Sequence, residues 1–396
     1  MTTTWTLREL PIAELPWPPS SVTGSPVAGH AHDNAGHGAA AGLLRGYVQA
    51  MNVVLLDTWG RRDFERGEQE VLGSLHDERY NRAIVLLAVA DSAGDDDVVP
   101  GRLDPGRVLG YAGLELPVTD NTHGGYLDVG VRPQHRRQGI GSALHEAALA
   151  RARAEGRTVL HTSTDQRTEP PAGPGALTPS TGTGHVDGAA PAVRFARARG
   201  WSLEQVARHS VLELPLDVDD LAARRTAAQR RAGDDYRVLR WEGPCPARWV
   251  DQFADLNARM STDAPVGGLD LRAEAWDAQR VRDTERSHAE RGLTRLVAAV
   301  EHVPTGTLAA YTALLLKPEP PDYADQWDTL VHPEHRGHRL GMLVKTANLQ
   351  HLAELRPRVR RIGTWNAEEN AYMLAINVEL GFRPAGGSGE WQLTLS

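Results

Sequence analysis

The chain has 396 residues, 41% of them hydrophobic and 24% charged, which suits two or three globular domains and excludes a disordered or fibrous chain. Acidic residues outnumber basic ones by 51 to 43, giving a net charge of −8. That balance argues against a nucleic-acid partner, since phosphate backbones call for a basic surface. The single cysteine, Cys245, excludes an internal disulfide. It lies between Pro244 and Pro246 with no histidine or asparagine pattern around it, so it reads as an inert thiol. Scarce cysteine, no basic-then-apolar leader in MTTTWTLREL and no run of about 18 apolar residues together give the expectation of a cytoplasmic protein that does not enter a membrane.

In chain order, residues 16–40 form a first loose segment, rich in Pro, Gly and Ala. Its histidines, His30, His32 and His37, have no evident partner ligands and read as a solvated loop, so no metal is expected. Residues 82–90 and 107–117 are apolar, partly alternating runs bounded by Gly, Pro and Asp, which predicts a pair of hairpin strands. YLDVGV (126–131) is a third strand. Residues 139–155 are helical, with Ile140, Leu144, Ala148 and Ala152 on one face. TVLHTS predicts another strand, 192–199 a short helix and 201–216 the closing strands. Between them, 168–190 is rich in Pro, Gly and Thr and reads as a flexible insertion.

The order then repeats. Strands are expected at 294–303, 306–318, 325–331, 361–367 and 389–395, and helices at 339–355 and 370–380. LDVGVRPQHRRQGIG and WDTLVHPEHRGHRLG align without a gap, placing Asp128 with Asp328, Pro133 with Pro333, Arg136 with Arg336 and Gly141 with Gly341, each 200 positions apart. A repeat this long is a duplicated domain. The reading is therefore α/β (α+β): two domains, each a mixed twisted sheet with helices on both faces, at 1–216 and 236–396, with a charged, Ala-rich linker at 217–235.

The segment Arg136, Arg137, Gln138, Gly139, Ile140, Gly141, leading into Ser142, stands between a predicted strand and a predicted helix. Its glycines permit positive φ and close approach of a ligand to the backbone. The free N–H groups of a helix start, backed by the helix dipole, suit a diphosphate, and arginines add charge-assisted bonds. The second copy has Arg336, Gly337, His338, Arg339, Leu340 and Gly341, followed by Met342.

V-x-P-x-x-R-R-x-G-I-G-x-A-L resembles the pyrophosphate-binding signature of the GNAT N-acetyltransferase superfamily, Q/R-x-x-G-x-G/A. Residues 136–141 match it completely, and 336–341 depart from it only at Arg339. Gly200–Trp201 and Gly381–Phe382 resemble the family's L-G-F after the fourth helix. The resemblance implies an acetyl-CoA site where the fourth and fifth strands splay. Strand backbone near Val129, Gly130 and Val131, and near Leu330, Val331 and His332, would hold the pantetheine arm. It also implies an amine that attacks the thioester directly, which needs a base and a proton for the leaving thiolate.

Asp128 and Asp328, five residues before each proline, lie where the family often places a carboxylate base. The family's tyrosine acid falls on Ala196 and Asn377, neither a tyrosine, which leaves Tyr372 as a substitute. Asn370 and Asn377 are seven apart, on one helical face. The resemblance gives Asn366 or Asn370 a pantetheine contact; as caps or buried, satisfied residues they would have a purely structural role. The first copy lacks these asparagines, so the second is favoured as catalytic. The expected function is acetyl transfer from acetyl-CoA to a primary amine of a small molecule. Two alternatives stand beside it: a non-catalytic acetyl-CoA-binding module, and a tandem enzyme resembling mycothiol synthase. An acceptor pocket is expected in 41–78 and 246–292, where Trp59, Trp249 and Trp276 are candidate lining residues.

Overall fold

The computed structural model describes residues 4–16, 34–91 and 104–396. Its contacts divide into two compact units, Met1–Thr162 with Leu393–Ser396, and Ser163–Gln392.

The first unit contains β1 (Trp5–Glu9), α1 (Asn34–Trp59), α2 (Glu68–His76), β2 (Asn81–Ala90), β3 (Val108–Pro117), β4 (Gly124–Val131), α3 (Ile140–Ala154) and the start of β5 (Val159–Gln166). Its strands pair in the order β1-β2-β3-β4-β5, antiparallel except β4 with β5. Val85, Leu87 and Val89 of β2, every second residue, pack with Leu44, Tyr47 and Met51 of α1 in one apolar cluster. The predicted face of α3 is buried as expected: Ile140, Leu144, Ala148 and Ala152.

The second unit contains β6 (Ala176–Leu177), β7 (Val186–Asp187), α4 (Pro191–Arg197), β8 (Ser202–Glu213), α5 (Val218–Ala232), β9 (Tyr236–Glu242), α6 (Val250–Asp263), α7 (Ala278–Glu290), β10 (Thr294–His302), β11 (Thr307–Leu316), β12 (Tyr323–Val331), α8 (Leu340–Leu355), β13 (Arg361–Ala367), α9 (Ala371–Leu380) and β14 (Arg383–Thr394). Its sheet runs β14-β8-β13-β12-β11-β10-β9, with β12 and β13 parallel. Leu296, Ala298 and Val300 of β10 join the cluster under α5 and α8. Val297 and Ala299 join the cluster under α6 and α7. Period-2 alternation on a strand apolar on both faces thus produces three layers, helix, sheet, helix.

Three expectations change. The segment 217–235 is a helix: Leu221, Ala228 and Ala232 are buried at helical spacing, Asp217 caps its start by accepting from Asp220 N at 2.8 Å, and Gly233 ends it at φ 91°. The insertion at 168–190 carries the β6–β7 hairpin. It is held because Val186 is fully buried and Gln166 Nε2 donates to His185 O at 2.7 Å. Of the segment 16–40, residues 17–33 with His30 and His32 lie outside the described residues, as does the His37 side chain, and Asn34 onward is α1.

The stretch Gly38–Trp59 within α1 is long and apolar enough to cross a membrane by length and composition, contrary to the expectation that no such run exists. Half of it is buried in the unit, where Leu43, Leu44, Val48 and Met51 join the apolar cluster with residues of β2 and β3.

β8, the last strand of the first copy by sequence, pairs with β13 and β14 in the second unit. The compact units therefore part at 162/163, whereas the duplication repeats about residue 217.

Candidate functional site

Both turns before α3 and α8 are open. Residues 136–139 and 336–339 are exposed, and each turn follows a single 3-10 turn begun by Pro133 or Pro333. The first backbone bonds of the two helices come from Ala143 N and Leu343 N. Among the described residues, the N–H groups from Gln138 to Gly141 and from Gly337 to Met342 find no acceptor. The side chains of Ile140, Leu340 and Met342 are core, so only their backbone can face a ligand. An anion brought to either turn would meet a row of free donors at the positive end of a helix.

Each turn needs positive φ at its second and fourth residues, and each meets the need with one glycine and one arginine. These are Arg137 (63°) and Gly139 (84°) in the first, Gly337 (86°) and Arg339 (58°) in the second. The departure at Arg339 therefore keeps the shape of the turn. Its guanidinium pairs with Glu379. Left-handed backbone costs an L-residue about 1–2 kcal/mol, and an exposed ion pair returns less than about 1 kcal/mol. Arg339→Gly is expected to gain about 1 kcal/mol of stability over Arg339→Ala, read as a higher urea midpoint. Equal midpoints would show that the turn is unstrained.

Arg136 and Arg336, expected to grip phosphate, are already engaged. Arg136 donates to Asp57 Oδ2 at 2.8 Å and Val131 O at 3.0 Å, and Arg336 to Asp263 Oδ2 at 2.7 Å and Val331 O at 3.4 Å. Each fastens its turn to the end of α1 or α6. Gln138 Nε2 reaches Gln134 O at 3.4 Å, and His338 packs on the Tyr236 ring, 5.2 Å between centroids. His332, Glu334 and His335 bring one donor atom each within 4.8 Å of one another beside the second turn.

Beyond the register Gln326↔Thr364, β12 and β13 part. A cavity of about 410 Å³ occupies the gap. Its lining includes Asp328 to Val331, Arg336, Gly337 and Gly341 of the turn, and Asn366, Asn370, Tyr372 and Met373. Most of the second copy's candidates thus converge on one hollow of a size usual for small-molecule sites. Its tryptophans are Trp327 and Trp365. Trp59 is buried beside the Phe64 ring, Trp249 is buried in an apolar cluster and Trp276 packs against that cluster, where large rings contribute most to stability.

β12 carries a bulge at residues 327–328. Thr312 pairs with Thr329 and Leu314 with Gln326, so β12 has one residue more than β11 there. Gln326 pins the bulge, donating to Thr312 Oγ1 (2.9 Å), Ala313 O (2.8 Å) and Asp328 O (3.3 Å). β3 and β4 run in unbroken register from Gly110↔Val131 to Glu115↔Tyr126, so the first copy has no counterpart.

Asp328, at the bulge, accepts from Tyr311 Oη at 3.2 Å. Burial is the largest influence on its carboxyl and raises it above the ordinary range, against the pull of Arg295 and the Tyr311 hydrogen bond. The first copy repeats the pair: Tyr111 is hydrogen-bonded to Asp128. Solvent still reaches the Asp128 side chain, but protein crowds its carboxyl, and that desolvation pushes it up to about 6. Tyr111 and Tyr311 stand at the same 200-residue offset as the aspartates, a signal the sequence reading passed over. The Tyr111 ring also lies over Gly130, where a Cβ would approach it to 2.4 Å. Gly130 thus has a packing reason of its own.

The asparagines divide. Asn370 caps α9, accepting from Met373 N at 3.2 Å. Asn377 is buried and donates to Asn366 Oδ1 at 2.7 Å, while its own Oδ1 has no partner among the described residues. Tyr372 is 59% exposed at the rim of the cavity. Ala196 is buried in the first copy. Cys245 is buried, and burial beside Glu285 pushes its thiol up to about 12, as suits an inert group.

Residues 59–170 match the model of the acetyltransferase (GNAT) family. No curated protein matches the chain. A tandem GNAT protein from the clavulanic acid biosynthesis pathway, solved without AcCoA, is 26% identical with a TM-score of 0.65, over 89% of this chain and 95% of its own. A GCN5-related N-acetyltransferase from Sphaerobacter thermophilus shares the fold at 12% identity and TM-score 0.53, over 88% of this chain and 92% of its own. The glucosamine N-acetyltransferase region of a fungal GH3 β-N-acetylglucosaminidase does so at 15% identity and TM-score 0.53, over 87% of this chain and 36% of its own. Residues 59–170 thus match a GNAT acetyltransferase domain, and the chain as a whole has the fold of tandem GNAT proteins, one that supports acetyl transfer.

Proposed function

We propose that the chain is an acetyl-CoA-dependent N-acetyltransferase acting on a primary amine of a small molecule, with the second copy as the catalytic one. The observation that carries this is the open turn of unoccupied N–H groups leading into the cavity that holds Asp328. The turn fits a diphosphate: nothing lies within 4 Å of where a Gly337 Cβ would stand. Backbone of Gly337 to Met342 would hold the phosphates, and β12 beyond the bulge the pantetheine arm. Acetyl-CoA would supply an acyl group activated as a thioester. Asp328 would take a proton from the incoming amine, directly or through one water, and its carboxyl, raised above the ordinary range by burial, is a stronger base than a free aspartate. Asn366 and Asn377 would hold the cavity wall through their mutual bond. The similar protein from clavulanic acid biosynthesis favours a small-molecule acceptor.

A second reading, a binder without turnover, draws on Ala196 and Asn377 at the positions of the family's tyrosine. Release of CoA thiol with a panel of small primary amines, including a cysteine-linked glucosamine–inositol, decides between them. Amine-dependent release is expected. Tight CoA binding with no release from any amine would make the chain a binder, and turnover confined to the glucosamine–inositol would make it mycothiol synthase-like.

A further inference from the structure

Of the 43 Lys and Arg residues, two are lysine, Lys317 and Lys345. Lys317 is half-buried and has an ordinary partner: its Nζ pairs with Asp325 at 3.1 Å. Lys345 is different. It lies on α8, one turn below Gly341, is 2% exposed and lines the cavity that also holds Asp328 and Thr364. Among the described residues it makes no hydrogen bond or ion pair, and its Nζ stands 5.6 Å from the centre of the Phe382 ring. A buried ammonium without a counter-ion is costly, and the lysine meets that cost by giving up its proton. Burial alone pushes its amine down to about 7.

We propose that Lys345 is a site of covalent acylation by the thioester bound in this cavity, so that the chain acetylates itself there. The inference rests on the reading of the cavity as an acetyl-CoA site. A neutral primary amine and a thioester held in one cavity are the two reactants of the proposed transfer itself. The Lys345 Nζ lone pair forms a bond to the thioester carbonyl carbon, the carbon–sulfur bond breaks, and its electron pair leaves with CoA as thiolate. The proton lost by the acylated nitrogen goes to that thiolate, giving an Nε-acetyl amide and CoA thiol with no other reactant. Acylation also removes the option of charge from a group the fold keeps dry. The first copy has His145 at the matching position, so a stable amide can form only in the second.

The test uses the full chain incubated with acetyl-CoA at pH 8, with site-resolved mass spectrometry and, in parallel, calorimetry of CoA binding. Lys317, ion-paired with Asp325 and not among the residues lining the cavity, is the internal control for acetylation outside it. The expected result is CoA binding together with acetyl occupancy at Lys345 at least tenfold above Lys317. Excess desulfo-CoA should suppress the mark at Lys345 but not at Lys317, and Lys345→Arg serves as the blank. If CoA binds and Lys345 is acetylated no more than Lys317, the inference falls while the reading of the cavity stands. If CoA does not bind at all, both fall.

Discussion

Asp328→Asn is expected to lower the rate of acetyl transfer about 100-fold or more, with little change in the KM for acetyl-CoA. The loss is that of one general base, an effect of roughly 10²–10⁴. The substitution is nearly isosteric and keeps an acceptor for Tyr311 Oη. The sign of the pH effect follows from the raised carboxyl. A base works only when deprotonated, so the wild-type rate falls as pH drops through a value above the ordinary aspartate range, and Asp328→Asn should abolish that acid limb along with the rate. Asp128→Asn is expected to change the rate less than about threefold, because Asp128 is not among the residues lining the second unit's cavity. A rate that survives in Asp328→Asn and fails in Asp128→Asn would transfer the chemistry to the first copy.

The second large effect is expected at the turns. Gly139 and Gly337 have nearly the same positive φ and equally empty surroundings. Aspartate at either costs the same left-handed strain, about 1–2 kcal/mol, and aspartate tolerates that region better than most residues. Only its carboxylate differs in consequence: it stands where phosphate oxygens would lie, taking the free N–H groups and repelling the ligand. Gly337→Asp is expected to weaken CoA binding by at least tenfold, about 1.4 kcal/mol, while Gly139→Asp leaves binding to the second copy intact. Calorimetry of the two variants, normalised by their shared loss of thermal stability, reads this directly. The reverse pattern would place the nucleotide on the first copy, and unchanged binding in both would deprive the turns of any role.

Much of this was legible in the sequence because it rests on local pattern. β10 alternates between two apolar faces, α3 shows one buried stripe, and the duplicated P-x-H-R turn repeats at a fixed offset. What was not legible depends on neighbours brought from a distance. The bulge at 327–328 arises from how β12 registers against β11, and QWDTLV on its own reads like the unbulged YLDVGV. The helical character of α5 is hidden in the sequence because its three buried residues are mostly alanines, whose burial depends on α8 lying over them. Arg339 departs from the glycine pattern, and only the backbone shows that it, like Arg137 in the other copy, takes up a left-handed position of its turn. Lys345 hides in an apolar helix, and only the cavity shows that its amine has somewhere to go.

The placement of β8 between β13 and β14 bears on how the chain comes to exist at all. A ribosome making it has produced the whole first turn by position 142, yet the small unit still awaits Leu393–Ser396, and residues 202–213 still await their partner strand at 383–394. A gene cut at the midpoint of the duplication would thus yield two fragments that each lack a piece encoded in the other. Ancestral duplication produced two copies, but each compact unit draws on residues from both halves of the chain.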